Sequence, residues 1–223
     1  MFFPVGDDQV VGGHKPLFSY SFLVVNILVF LYQLTLSKEN CGVFMYHFGS
    51  IPAEIVAGQD YFTLFTSMFL HAGFLHIIGN MLFLWVFADN IEATIGNVNF
   101  IIFYLLGGLA ASLVHIYLNP GSTIPTVGAS GAIAAVLGAY MVLFPKNNIK
   151  IRFLVFKPFS MIAILFLGIW FVQNLYSGIG SLGIESAQSG GTAWWAHIGG
   201  FVFGILIGFL AKYTYMKNVS DYA

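Results

Sequence analysis

Four polar side chains stand in otherwise apolar stretches of this chain, and their types fit acyl-transfer chemistry. Ser130 lies in Gly128-Ala-Ser-Gly131, His197 in Trp194-Trp-Ala-His-Ile-Gly-Gly200, and His76 and Asn80 share one apolar segment. A neutral imidazole within reach of a serine hydroxyl can take its proton and later return it to a leaving amine. Gly128 and Gly131 would let the backbone turn tightly beside the serine, so that a substrate carbonyl can approach Oγ. His76 and Asn80 are four apart, project from one helix face, and would offer two hydrogen-bond donors to a single point. Each feature alone has a plainer reading. A serine among small residues is more often part of a helix-packing seam, and a lone histidine is more often a satisfied interior group.

The elements that must position these groups follow from composition. Of 223 residues, 58% are hydrophobic and only 8% are charged. The mean hydropathy is +0.85, a balance that a water-soluble globule of this size would not show. A helix needs roughly 20 apolar residues to cross a bilayer, so there is room for about six spans in one domain. The apolar runs predict helices over Leu17–Leu36, Leu75–Thr94, Val98–Leu118, Ser130–Phe144, Phe159–Ile179 and Trp194–Tyr213. The expected architecture is an all-α membrane protein, a six-transmembrane-helix bundle. Residues 1–16 would be a short polar cytoplasmic tail, 17–213 the membrane domain and 214–223 a cytoplasmic C-terminal tail.

The fourth helix is too short to span alone, and it follows a polar stretch, Asn119 to Ala129, with two prolines and two glycines. A loop at membrane depth is tolerable only if it is buried in protein or lines water. Such a site would also admit the water that hydrolysis needs. The long segment from Ser37 to about Phe74 is too apolar for a solvated linker and predicts short interfacial helices between helices one and two. Small residues recur every fourth position as Ser130, Ala134 and Gly138, and again as Ala196, Gly200, Gly204 and Gly208. That spacing predicts close contact between the fourth and sixth helices, with Ser130 and His197 facing one seam. Lys15, Lys146, Lys150, Arg152, Lys157, Lys212 and Lys217 all fall on one side of a six-span arrangement, and only Lys38 falls opposite. The positive-inside rule then puts both termini in the cytoplasm. Asp89 and Glu92 read as ordinary boundary charges.

Three motifs together, His71-x4-His76-x3-Asn80, Gly128-x-Ser130-Gly131 and Ala196-His-Ile-Gly-Gly200, resemble those of the rhomboid proteases. Their order and helix assignments agree with that family over roughly Asp60 to Gly208. The resemblance implies an intramembrane serine endopeptidase that cleaves peptide bonds in or near transmembrane helices through a dyad. Ser130 would be the nucleophile and His197 its base, while His76 and Asn80 would help the Ser130 backbone N–H bind the oxyanion. No carboxylate is expected to complete a triad. Gly128, Gly131 and His71 would support the site, His71 as a structural group bonding the long outer segment or a loop carbonyl. The Gly- and Ser-rich stretch Gly178 to Gly191 would form a cap, and the fifth helix, with Trp170 and Phe171, a lateral substrate gate. One departure stands out: where some members stack an aromatic residue on the catalytic histidine, this chain has Ala134, so His197 must be held by other packing.

Other classes fit less well. There is no basic stripe with interleaved aromatics, and the net charge is -1, so nucleic acid leaves no footprint. His71 and His76 are five apart, no Glu follows in an H-E-x-x-H pattern, and the single Cys41 is remote, so neither a metal nor another cofactor is implied. A transporter would call for paired broken helices, and only one break is evident. A rhomboid-like protein that binds membrane clients without cutting them would normally lack the serine or the histidine. The expected partners are the lipid bilayer and membrane-anchored protein substrates. The expected location is a bacterial plasma membrane, crossed several times.

Overall fold

Helices replace the apolar runs in this computed structural model, which describes residues 2–8, 14–153, 157–182 and 192–221. In chain order they are α1 (Phe18–Thr35), α2 (Lys38–Phe48), α3 (Pro52–Val56), α4 (Thr63–Thr66), α5 (Phe74–Ile95), α6 (Asn97–Leu118), α7 (Ser130–Leu143), α8 (Ala163–Gly180) and α9 (Trp194–Asp221). Five of them, α1, α5, α6, α8 and α9, are long and apolar enough to cross a membrane. The chain is a multi-pass membrane protein. With 14 residues, α7 is roughly 21 Å long, well short of the ~30 Å hydrocarbon layer.

Almost every residue of α7 is buried, from Gly131 to Tyr140 without interruption. It forms the centre of the bundle, with α5, α6, α8 and α9 packed around it. The closest approach is to α9, and small residues create it. A Cβ added to Gly200 would lie 2.1 Å from the Gly131 carbonyl oxygen, one on Gly204 1.9 Å from that of Ala135, and one on Gly138 2.1 Å from that of Phe201. The seam expected from the four-residue spacing is therefore a backbone-to-backbone contact that no larger side chain would permit. Between α1 and α5 the long connecting segment holds α2, α3, α4 and a 3-10 turn at Ser67–Phe69.

Several expectations need correction. The fold is mostly helical rather than all-α: a three-stranded antiparallel sheet joins β1 (Phe2–Asp7), β2 (Asn148–Phe153) and β3 (Phe159–Ile162) in that order. Part of the expected N-terminal tail is thus an ordered strand, pairing Phe3 with Arg152. The run that predicted a helix from Phe159 opens as β3, which pairs Ile149 with Met161, so α8 starts four residues later. Ile149 and Ile151 are fully buried beneath the sheet. At the other end of the chain, α9 continues to Asp221, past the expected boundary at Tyr213.

Glu92 needs correction as well. It is not a boundary charge but completely buried, and it closes the start of α1. Its Oε1 accepts from the Leu17 and Phe18 backbone N–H groups at 3.0 and 2.9 Å, and its Oε2 from Ser19 N–H at 2.7 Å. Asn97 Nδ2 donates to Oε1 at 3.0 Å. A helix start leaves N–H groups without partners along the helix, and a carboxyl group from α5 accepts from three of them. Glu92→Ala is expected to lower stability by about 1.5–3 kcal/mol, with a smaller loss for Glu92→Gln, as read by thermal unfolding in detergent.

The sheet is tied to the bundle through Asp7, which accepts from Asn90 Nδ2 at 2.7 Å and from the Tyr140 hydroxyl. Burial pushes the Asp7 carboxyl up from its usual range to about 6, and the Tyr140 hydrogen bond offsets part of that rise. Because the folded state prefers the protonated acid, this contribution to stability is complete below the ordinary carboxylate range. It is lost as pH rises through about 6. Asp7→Asn, which keeps an acceptor for both donors, is expected to flatten that part of the curve of unfolding temperature against pH.

Candidate functional site

Ser130 is the first residue of α7, and the chain reaches it through Gly128, whose φ is +124°. This backbone conformation favours glycine, and space requires it as well. A Cβ at Gly128 would lie 2.7 Å from His76 Nε2, with Asn80 Nδ2 at 3.5 Å. The Gly128 N–H donates to the Ser67 carbonyl at 2.8 Å. Gly131 faces α6, where an added Cβ would come within 2.6 Å of the Ala111 Cβ. The polar loop before Ser130 is pinned to the segment between α1 and α5. Ser50 and Thr126 exchange both backbone hydrogen bonds, at 3.0 and 2.8 Å, and Ala53 N–H donates to the Ser122 carbonyl at 3.0 Å.

The α7–α9 seam brings the two distant motifs together. Ser130 Oγ lies 2.8 Å from His197 Nε2, across 67 residues of sequence. His197 is flanked by Trp170 at 5.8 Å between ring centroids and by Trp194, edge-on, at 6.1 Å. These rings come from α8 and α9. The far ring nitrogen, Nδ1, lies 2.7 Å from Asn174 Oδ1 on α8. Asn174 is a residue that the sequence reading passed over. The available signal was a polar amide within an apolar span, which by itself marks a functional candidate.

His76 and Asn80 stand one turn apart on α5, as their spacing requires, both beside Gly128. The Ala72 N–H points at His76 Nδ1 at 3.4 Å. In the neutral ring the proton then sits on Nε2, the atom nearest Gly128. Asn80 is buried, and its Nδ2 donates to His71 Nε2 at 2.9 Å. His71 was expected to bond the outer segment or a loop carbonyl. Its side chain meets Asn80, and its backbone is clasped by Gln33, whose Oε1 accepts from the His71 N–H at 3.0 Å while Nε2 donates to the His71 carbonyl at 3.1 Å. Among the described residues no group of three or more His, Cys, Asp or Glu side chains could hold a metal ion. Of the expected cap, Gly178 to Gly191, residues 183–191 lie outside the described residues. Trp170 and Phe171 both pack on Phe201 of α9, at 5.7 and 4.7 Å.

Comparison with known proteins bears on this arrangement. The family model described as the Rhomboid domain matches residues 58–214. The chain belongs to the rhomboid family. It is 29% identical over 170 residues to "Rhomboid protease GluP" of Bacillus subtilis, which covers 76% of this chain and 33% of that protein. It is 28% identical over 200 residues to "Rhomboid protein 1, mitochondrial" of Saccharomyces cerevisiae, covering 87% of this chain and 53% of the relative. A zebrafish relative, "Presenilin-associated rhomboid-like protein A, mitochondrial", is 29% identical over 147 residues, 62% of this chain and 34% of its own. The chain thus spans about a third to a half of the length of these rhomboid relatives. The matched region begins ahead of α4 and contains all four polar groups. Gly128→Ala is expected to displace the His76 ring, the movable side of the contact, and to destabilise the fold by about 1–3 kcal/mol through strain at a positive φ. Thermal unfolding measures the strain, and a crystal structure of the variant would show the ring position.

Proposed function

We propose that this rhomboid chain is an intramembrane serine endopeptidase, acting on membrane-anchored proteins at peptide bonds in or near their transmembrane helices. The observation that carries the reading is the 2.8 Å contact between Ser130 Oγ and His197 Nε2. His197 takes the hydroxyl proton as Oγ attacks the scissile carbonyl, forming a tetrahedral intermediate. It then gives that proton to the departing amine, leaving an acyl-enzyme that water hydrolyses with the same base. The developing oxyanion is met by three donors: the Ser130 backbone N–H at the unpaired start of α7, His76 Nε2–H, and the Asn80 Nδ2 proton not used by His71.

Topology supports the same reading. With α7 counted as a sixth, short membrane helix, both termini and the basic residues Lys146, Lys150 and Arg152 share one side, which the positive-inside rule makes cytoplasmic. Ser130 then lies below the opposite surface, at the bottom of the loop pinned to Ser50 and Ala53. Substrate would enter beside α8, past Trp170 and Phe171.

Cleavage of a single-span model substrate in liposomes tests the proposal. Ser130→Ala and His197→Ala are expected to abolish cleavage, and Ser130→Ala to abolish labelling by a serine-directed fluorophosphonate. Asn80→Ala should retain binding and lose about a hundredfold to a thousandfold in kcat. Undiminished cleavage by either dyad variant would sink the mechanism. A folded wild type that binds such helices and cuts none of them would point to client binding without proteolysis.

A further inference from the structure

The edge of His197 that faces away from Ser130 is also engaged. Asn174 presents Oδ1 to Nδ1 at 2.7 Å, and Asn174 is 3% exposed, so water does not compete for the contact. The same amide donates from Nδ2 to the Trp170 carbonyl one turn earlier on α8, at 2.7 Å. A backbone carbonyl can only accept, which obliges the NH2 end of the amide to point at Trp170. The oxygen end is then left for the imidazole. An amide oxygen can only accept in turn, so the ring proton must sit on Nδ1 and the lone pair on Nε2, 2.8 Å from the Ser130 hydroxyl.

We infer that Asn174 is a positioning residue of the proposed protease site, holding His197 in the Nδ1–H tautomer and in the ring orientation that accepts the Ser130 proton. The inference rests on the protease reading given above. Without the amide oxygen, the opposite tautomer would place an N–H against the hydroxyl, and that ring form could not act as base. A base oriented by a third group is the general pattern of nucleophilic sites. Here the third group is neutral. An ionised carboxylate in its place would bring a charge that is costly to insert into a membrane helix. An amide supplies the acceptor without that charge, although it gives up the full electrostatic support that an anion would lend the imidazolium. The Trp170 carbonyl makes the arrangement specific, because a free amide could rotate and offer either end.

The measurement is 15N NMR of histidine-labelled full-length protein in detergent, with the His197 signal assigned by its absence in His197→Ala. It is combined with liposome cleavage kinetics for Asn174→Leu, Asn174→Ala and Asn174→Asp. In wild type the proton is expected on Nδ1. Asn174→Leu, which fills nearly the same volume, should lower kcat by about ten- to a hundredfold with KM little changed, slow fluorophosphonate labelling in parallel and mix the tautomers. Asn174→Asp, which keeps an acceptor, should recover part of that loss. Wild-type kcat and an unmixed tautomer in Asn174→Leu, with loss confined to Asn174→Ala in proportion to its stability, would reduce Asn174 to packing and overturn the inference. If the leucine variant does not fold, the wild-type spectrum decides alone, since a proton on Nε2 contradicts the assignment. Cleavage by Ser130→Ala at the wild-type rate would instead remove the protease reading, while the tautomer would still report on the Asn174 contact.

Discussion

A hydroxyl and an imidazole can meet inside this bundle only because two helix backbones touch with nothing between them. Gly200 rests on the Gly131 carbonyl and Gly204 on that of Ala135, while Gly138 returns the contact to Phe201. In lipid there is little hydrophobic drive between helices, so association depends on close van der Waals contact and on polar groups that find partners. A methyl group at any of these three glycines would force α7 and α9 apart by more than the length of a hydrogen bond can absorb. The short central helix is thus placed by its small residues, and its first residue acquires its neighbour from the same contact.

Polar groups within the bundle obey a stricter economy than in a soluble protein, because an unpaired one has no water to turn to. Glu92 pairs with the start of α1, Asn80 with His71, Gln33 with the His71 backbone, and Asn174 with both Trp170 and His197. Each of these bonds joins groups that separate segments of the chain bring together or, at Trp170, fixes the direction of an amide. The fold is specified as much by these pairings as by the apolar runs. They explain why α1, rather exposed along most of its length, still has a defined register against α5.

What the sequence reveals of all this depends on range. Helix positions emerge from apolar runs because they are local, and the α7–α9 seam emerges because a four-residue repeat of small side chains is local to each helix. Ser130, His197, His76 and Asn80 stand out because polar residues in lipid are costly and seldom incidental. The three strands do not emerge: each is short, and β1 finds its partner some 150 residues away, at Phe3 and Arg152. Glu92 is misjudged for a similar reason. Its sequence neighbours suggest a membrane boundary, whereas its partners, Leu17 to Ser19, lie more than seventy residues earlier. Asn174 sits beside Gln173 in an otherwise greasy helix, and nothing local separates the amide that meets an imidazole from its neighbour.

The small sheet has a mechanical consequence. β3 runs directly into α8, and the joint is fastened by the Ala163 N–H to the Asn147 carbonyl at 2.8 Å and the Ile164 N–H to the Pro145 carbonyl at 3.0 Å. A tilt of α8 away from the bundle therefore pivots at that lower end, as a door swings on a sill. Displacement grows along the rod, and Asn174, eleven residues beyond Ala163, sits roughly 16 Å from the fulcrum. A swing of only ten degrees or so would carry its amide about 3 Å, enough to let go of the ring it holds. In the proposed protease, opening a side passage and disarming the base would then be one motion.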